Sequence, residues 1–270
     1  MNKLLLASLA LLTLLVLLVV KLSISKFKLI KTNKIPQVIH KIFINENMEI
    51  LNISPPIKKA MNTWTKLNPG YTLKIWNGNE CRNYLSKYFE NEYLECFDNL
   101  IPYAYKTDFM RYCILYNEGG WYSDWQQILL SPLNTFDNYS WVSCWDTTGE
   151  ENKINGCMQN GFIGSCKNNI VLKECLSKII KNNKFKDYGK SPWYPTGPCL
   201  LGDMFRKFNN LSDFKLGNTQ NDEKDGPCFV FDNKKLIINK CCLDINKPST
   251  VFENGNNYLE LWKNKNIYVK

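Results

Sequence analysis

Histidine is nearly missing from this chain: His40 is the only one in 270 residues. A single imidazole rules out the usual His-rich zinc or iron clusters, and the eleven cysteines do not take their place, because no Cys-x-x-Cys pair occurs. No Ser–His–Asp set, no Walker phosphate loop and no Gly-x-Gly-x-x-Gly turn is present, which removes the common serine hydrolases, P-loop enzymes and classical dinucleotide binders. Internal repeats are absent as well. The chain carries a net charge of +9, yet its lysines are scattered among asparagines and are not interleaved with aromatics. The basic stripe of a nucleic-acid-binding module is therefore lacking, and a solvated surface accounts for most of the charge.

What remains suits one sizeable globular body. Hydrophobic residues make up 44% of the chain and aromatics 13%, enough to bury a core and to exclude disorder. The odd number of cysteines leaves at least one unpaired within a monomer. In an oxidising lumen some of the rest would pair, and in cytosol all would be thiols; spacing alone does not give the pairing.

Residues 4–20, "LLLASLALLTLLVLLVV", are apolar apart from Ser8 and Thr13. As a helix they would rise roughly 25 Å, close to the thickness of a hydrocarbon core. The expectation is a single-pass membrane anchor over 1–22, a basic stem over 23–34 and a folded domain over 35–270. A cleaved signal or a buried helix are the other readings of the same run. Lysines flank the span on both sides, so the orientation stays open, either cytoplasmic or with an ER- or Golgi-type lumenal body. Sequons at Asn52, Asn138 and Asn210 would permit lumenal glycosylation.

Beyond Ile35, apolar β-branched runs alternate with amphipathic stretches. "IPQVIHKIFI" reads as a buried first strand holding His40 in a structural role, and "PPIKKAMNTWTKLN" as a helix begun by proline. "TLKIWN" follows as a strand and "NECRNYLSKYF" as a helix. "AYKTDFMRYCILYNEGG" is the best helix of the chain, ended by Gly119–Gly120. "WYSDWQQILL" reads as the next strand. This alternation predicts an α/β fold with a mostly parallel central sheet, whose ligands sit beyond the carboxyl ends of the strands.

One constellation carries chemistry. Asp108 and Arg111 are three apart on the best helix and share a face. A surface ion pair is the bland reading of those two. Tyr122 and Asp124 fall on one side of the following strand, with Ser123 opposite. The four converge on one cleft if helix and strand pack as expected. Arg forks onto phosphate or hydroxyls, and Asp takes sugar hydroxyls or a cation that bridges phosphates.

"YKTDFMRYCILYNEGGWYSDWQQ" resembles the sugar-binding region of the DXD-containing glycosyltransferases of family 32. "IPQVIHKIF", "WTKLNPGYTLKIWN", "NGFIGS" and "PTGP" are similar, in the same order, to further segments of that family. The resemblance spans roughly residues 35 to 205. It implies a GT-A fold of Rossmann type, a nucleotide-sugar donor, a glycan or glycolipid acceptor, no nucleic acid, and retention of anomeric configuration. By carry-over, Asp108, Arg111 and Asp124 are the catalytic candidates. Donor-binding residues would be Asp108, Arg111, Gly119, Gly120, Tyr122, Asp124, Asn160, Thr196 and Gly197.

The sequence departs from the pattern where the second Asp of Asp-x-Asp is Gln126. A Gln carbonyl can ligate a hard cation but offsets none of its charge. The tail has no His; Glu253, Asn257 or Glu260 are the possible substitutes. Three readings stay open: a divalent cation, Mn²⁺ first, held by Asp124 and Gln126; a metal-free enzyme using Arg111 and lysines; or a silent carbohydrate-binding relative. A basic membrane-associated nucleic-acid binder is the rival from another class.

Overall fold

The computed structural model of the protein describes residues 34–49, 53–146, 156–208, 212–239 and 256–270. The expected anchor, and the stem up to Asn33, lie outside the described residues. Among those described, no helix is long and apolar enough to cross a membrane.

Among the described residues nine strands form one sheet: β1 Val38–Ile42, β2 Thr72–Trp76, β3 Gly120–Ser123, β4 Ile128–Leu129, β5 Trp141–Trp145, β6 Phe162–Ser165, β7 Phe214–Asp222, β8 Gly226–Phe231 and β9 Lys234–Ile238. Their order across the sheet is β2-β1-β3-β6-β5-β7-β8-β9-β4. The helices are α1 Pro55–Leu67, α2 Gly78–Tyr88, α3 Asn91–Asn99, α4 Tyr103–Glu118, α5 Ile170–Lys184, α6 Pro198–Phe205 and α7 Tyr258–Lys263.

The expectation of a mostly parallel sheet is corrected. Only β1–β2, β1–β3 and β5–β7 pair in parallel, while the other five pairings are antiparallel. Strand–helix alternation holds through β3. After it β6 enters beside β3 in the reverse sense, and the β7–β8–β9 meander completes the sheet without crossover helices. "WYSDWQQILL" is likewise two strands rather than one. β3 stops at Ser123, Trp125 and Gln126 form a turn, and β4 leaves to pair with β9 at the far edge. That break places Asp124 at the carboxyl end of a strand.

Two apolar layers flank the sheet. Tyr122 belongs to the layer under α4, α5 and α6, with Phe109, Met110, Leu172 and Leu201. Trp121 belongs to the opposite layer, with Ile39, Trp64, Phe136 and Phe162. The two-residue side-chain period of β3 thus aims Tyr122 at α4 and Trp121 away from it. Helix α4 is buried along most of its length, from Tyr105 through Leu115 with Thr107 the exception, so its polar residues are held inside the protein.

Gly119 ends α4 with φ 67° and Gly120 opens β3 with φ 100°. A Cβ on Gly120 would stand 2.6 Å from the Val38 carbonyl oxygen, so only glycine lets β3 lie this close to β1. His40 fixes the same corner: it makes a 3.0 Å hydrogen bond through Nε2 to the Gly119 carbonyl and accepts one at Nδ1 from Trp76 Nε1 at 3.2 Å. Its structural role is thereby accounted for.

Candidate active site

Asp108 is the centre of a buried polar cluster. Its Oδ1 faces Arg111 Nη2 at 3.0 Å and accepts from Asn160 Nδ2 at 2.8 Å, while Oδ2 accepts from Thr196 Oγ1 at 2.9 Å. The donors come from three places in the chain: α4 itself, the segment before β6, and the turn before α6. Burial pushes the Asp108 carboxyl above the usual range, against the pull of Arg111, Thr196 and Asn160.

Arg111 links the two carboxylates. It donates from Nη1 to the Asn160 carbonyl at 2.6 Å and stands 3.5 Å from Asp124 Oδ1. Its guanidinium lies 4.3 Å from the centre of the Tyr122 ring, a cation–π contact inside the protein. Burial works against the charge, but Tyr122, Asp108 and Asp124 outweigh it and raise the pKa, so Arg111 stays a cation. Tyr122 donates its hydroxyl to Asp124 Oδ1 at 2.8 Å. The Asp124 side chain is 33% exposed against 12% for Asp108, which makes Asp124 the carboxylate that solvent and ligand reach first.

Glycines make room for both acids. A Cβ on Gly161 would fall 2.5 Å from Asp124 Oδ2, and one on Gly197 would fall 3.4 Å from Asp108 Oδ2. The structure therefore brings Asp108, Arg111, Tyr122, Asp124, Asn160, Thr196 and Gly197 to one place. It does not bring Gly119 and Gly120 there. They sit at the opposite end of β3, roughly 13 Å along the strand from Asp124 by the usual rise per residue, and they serve the packing of β3 on β1.

Gln126 lies in the turn after Asp124 and is partly exposed. Among the described residues no three His, Cys, Asp or Glu side chains gather as a metal site. Asn257 caps α7 through its side chain, Glu260 is exposed, and Glu253 lies outside the described residues. Trp125 is half-buried and directs Nε1 to the Ile42 carbonyl, with its ring edge-on to Phe43.

Two features escaped the reading of the sequence. Lys41 is fully buried on β1. Its Nζ donates to Ser123 Oγ at 2.9 Å and to the Asp124 carbonyl at 3.0 Å, 4.5 Å from the centre of the Trp64 ring. It fastens the end of β3 to β1. The signal was a lysine inside an otherwise apolar strand, where burial demands polar partners. The second feature is a disulfide between Cys157 and Cys199, which ties the segment carrying Asn160 to the start of α6, just after Thr196. A cavity of 340 Å³ lined by Tyr88, Phe89, Glu92, Tyr93 and Asn117 lies at the other end of α4 and takes no part in this cluster.

Residues 55–143 match the family described as the glycosyltransferase sugar-binding region containing the DXD motif, a span that holds Asp108, Arg111, Tyr122 and Asp124. An uncharacterized glycosyltransferase of Acanthamoeba polyphaga mimivirus is 28% identical over 85% of this chain and 87% of its own length. Inositol phosphoceramide mannosyltransferase 2 of Schizosaccharomyces pombe is 22% identical over 86% of this chain, which spans 62% of that protein. Among solved structures, the PaToxG glycosyltransferase aligns with a TM-score of 0.46 and 19% identity, over 71% of this chain and 79% of that one. Over residues 55–143 the chain carries the sugar-binding region of the DXD-containing glycosyltransferases, with Gln126 standing where the motif has its second Asp.

Proposed function

We propose that the protein is a retaining hexosyltransferase, tethered to a membrane by residues 1–22, that moves a hexose from a nucleotide-sugar donor to a glycan or glycolipid acceptor. The observation that carries this reading is the Asp108–Arg111–Asp124 cluster: two carboxylates joined through one buried guanidinium, one sealed and one open to solvent. Sugar hydroxyls are donors and acceptors at fixed angles, and a carboxylate locked by Arg111, Asn160 and Thr196 offers its remaining lone pairs in one direction only. Such preorganisation needs no rearrangement as charge develops at the sugar. Arg111 holds Asp108 and Asp124 at a set separation, Tyr122 aligns Asp124, and Lys41 fixes the turn beneath it.

The donor set around Asp124 fits a divalent cation in a limited way. Asp124 Oδ1 already accepts from Tyr122, and Gln126 adds a neutral carbonyl, so Asp124 and Gln126 would be the protein's oxygens. A hard cation bound through few carboxylates takes its other ligands from water and phosphate. We assign Mn²⁺ to this position; when bound, it would offset negative charge on the departing nucleoside diphosphate.

A thermal-shift screen of GDP-mannose, UDP-glucose, UDP-galactose and UDP-N-acetylglucosamine, with and without Mn²⁺, tests the reading. A true donor raises the melting temperature by mass action, and Asp124→Ala abolishes most of that rise. Donor hydrolysis above the Asp124→Ala background separates an enzyme from a silent relative. No shift with any nucleotide sugar or nucleoside diphosphate would remove the proposal.

A further inference from the structure

Eight tryptophans occur in the chain, and all lie within the described residues. Seven are buried or partly buried; Trp193 alone is exposed, at 46%. Among the described residues no other aromatic ring packs against its indole. A single exposed apolar residue needs no explanation in general. This one is held in place beside the sugar end of the site, and that combination asks for a ligand.

The loop that carries it is pinned from several sides. Tyr105 donates its hydroxyl to the Pro192 carbonyl at 2.5 Å, Asn182 Nδ2 donates to the Pro195 carbonyl at 3.0 Å, and the Cys199 N–H reaches the Trp193 carbonyl at 3.3 Å. The Trp193 side chain lies beside that of Tyr258. Tyr258 in turn packs on Tyr105 with ring centres 5.8 Å apart, and Asn256 ties this tail to the start of α4 by accepting from the Tyr103 N–H at 2.8 Å. The loop is close to the catalytic cluster. The Cβ position of Gly197 would be 3.1 Å from the Trp193 carbonyl oxygen and 3.4 Å from Asp108 Oδ2. The backbone of Trp193 is therefore held close to the buried carboxylate, and its indole is half-bare to solvent.

We propose that Trp193 is the stacking platform for the pyranose ring of the acceptor, aligning its hydroxyl toward the sugar held at Asp108. One face of a pyranose is a patch of C–H bonds, while its hydroxyls project around the rim. The broad, rigid indole buries that patch at little entropic cost and leaves the hydroxyls free. The acceptor, not the donor, is assigned here because the donor sugar occupies the sealed carboxylate, whereas the indole faces the solvent from which the second substrate arrives. This inference rests on the glycosyltransferase reading for its chemistry. Trp193 lies outside residues 55–143, so the family match does not include it.

The test is saturation-transfer difference NMR on the purified full-length chain with methyl α-mannopyranoside, methyl β-glucopyranoside and methyl β-galactopyranoside. At least one glycoside is expected to receive saturation on the C–H protons of a single ring face. Trp193→Ala weakens its apparent affinity about tenfold, while Trp193→Phe, which keeps an aromatic face, weakens it less than about threefold. No transfer from the wild type to any of the three, or equal transfer from Trp193→Ala, overturns the assignment. A Trp193→Ala protein that melts normally but loses the nucleotide-sugar shift instead assigns the indole to the donor ring and overturns it as well. A flat nucleotide-sugar shift in the wild type sinks the enzyme reading separately, and the glycoside spectra still decide whether Trp193 binds a sugar.

Discussion

Thr196 donates its hydroxyl to Asp108 Oδ2 at 2.9 Å, a contact between residues 88 apart in the chain. Both groups are buried, so the bond has no water to replace it. Thr196→Val keeps the shape and deletes the donor. The uncovered carboxylate costs about 1–3 kcal/mol of stability. The bond favours the ionised acid, so its loss raises the Asp108 pKa further in the direction that burial already sets. The acid limb of the pH–kcat/KM profile for donor hydrolysis moves to higher pH in Thr196→Val and returns in Thr196→Ser. Superimposable acid limbs in all three proteins would exclude Asp108 as the group that must be ionised.

His40 gives the fold an acid-sensitive corner. Burial lowers its pKa from 6.5 to about 4. Between those values the unfolded chain binds a proton that the folded chain refuses. The stability contribution is therefore complete above the unfolded value and is lost as pH falls toward the folded one. A difference of this size corresponds to about 3 kcal/mol. Urea midpoints should fall steeply between pH 6.5 and pH 4.5 in the wild type. His40→Gln is less stable throughout, and its midpoint varies much less over the same interval. Parallel pH dependence in the two proteins would place the sensitivity elsewhere.

The local elements of the first half were legible because each has its own punctuation: Pro55 opens α1, a capping box at Asn77 and Glu80 opens α2, and Gly119 closes α4. The α3 helix, "NEYLECFDN", was not foreseen, since it is short and caps weakly. Strand β7, "FKLGNTQND", was also missed. Its polar residues and Gly217 deny it a strand pattern, and it exists through pairing with β5 and β8. The cluster was half legible. Asp108 with Arg111 follows from helical spacing and Tyr122 with Asp124 from strand alternation. Asn160 and Thr196 came only with the resemblance, because tertiary packing alone carries them to Asp108.

The Cys157–Cys199 disulfide joins the two loops that supply those residues, across a separation of 42. Closing a loop of that length restricts the unfolded chain by about 4 kcal/mol in the entropic account. Cys157→Ser with Cys199→Ser should lower the melting temperature by several degrees. Because Asn160 and Thr196 lose a shared anchor, it should also weaken nucleotide-sugar binding. Mass spectrometry of the unreduced protein checks the pairing first. An intact mass showing both thiols free, in protein made in an oxidising compartment, would remove this link.

Gln126 is the substitution through which the metal question can be settled. Asp124 already spends Oδ1 on Tyr122 and Arg111, so a cation here meets one partly committed carboxylate and one neutral carbonyl. Nearby positive charge from Arg111 opposes the cation further. Gln126→Asp adds a formal negative charge in a partly exposed turn, where among the described residues the amide makes no hydrogen bond. Hard cations respond to ligand charge as well as to ligand number. The substitution should tighten Mn²⁺ binding by at least about tenfold, read from the fall in free-ion electron paramagnetic resonance signal on titration. If Mn²⁺ acts at Asp124, the metal midpoint for donor hydrolysis shifts by the same factor. If binding tightens while the hydrolysis rate stays independent of Mn²⁺ and resists chelation, the charge on the leaving diphosphate is met by the protein's own cations, and the assignment of Mn²⁺ is wrong.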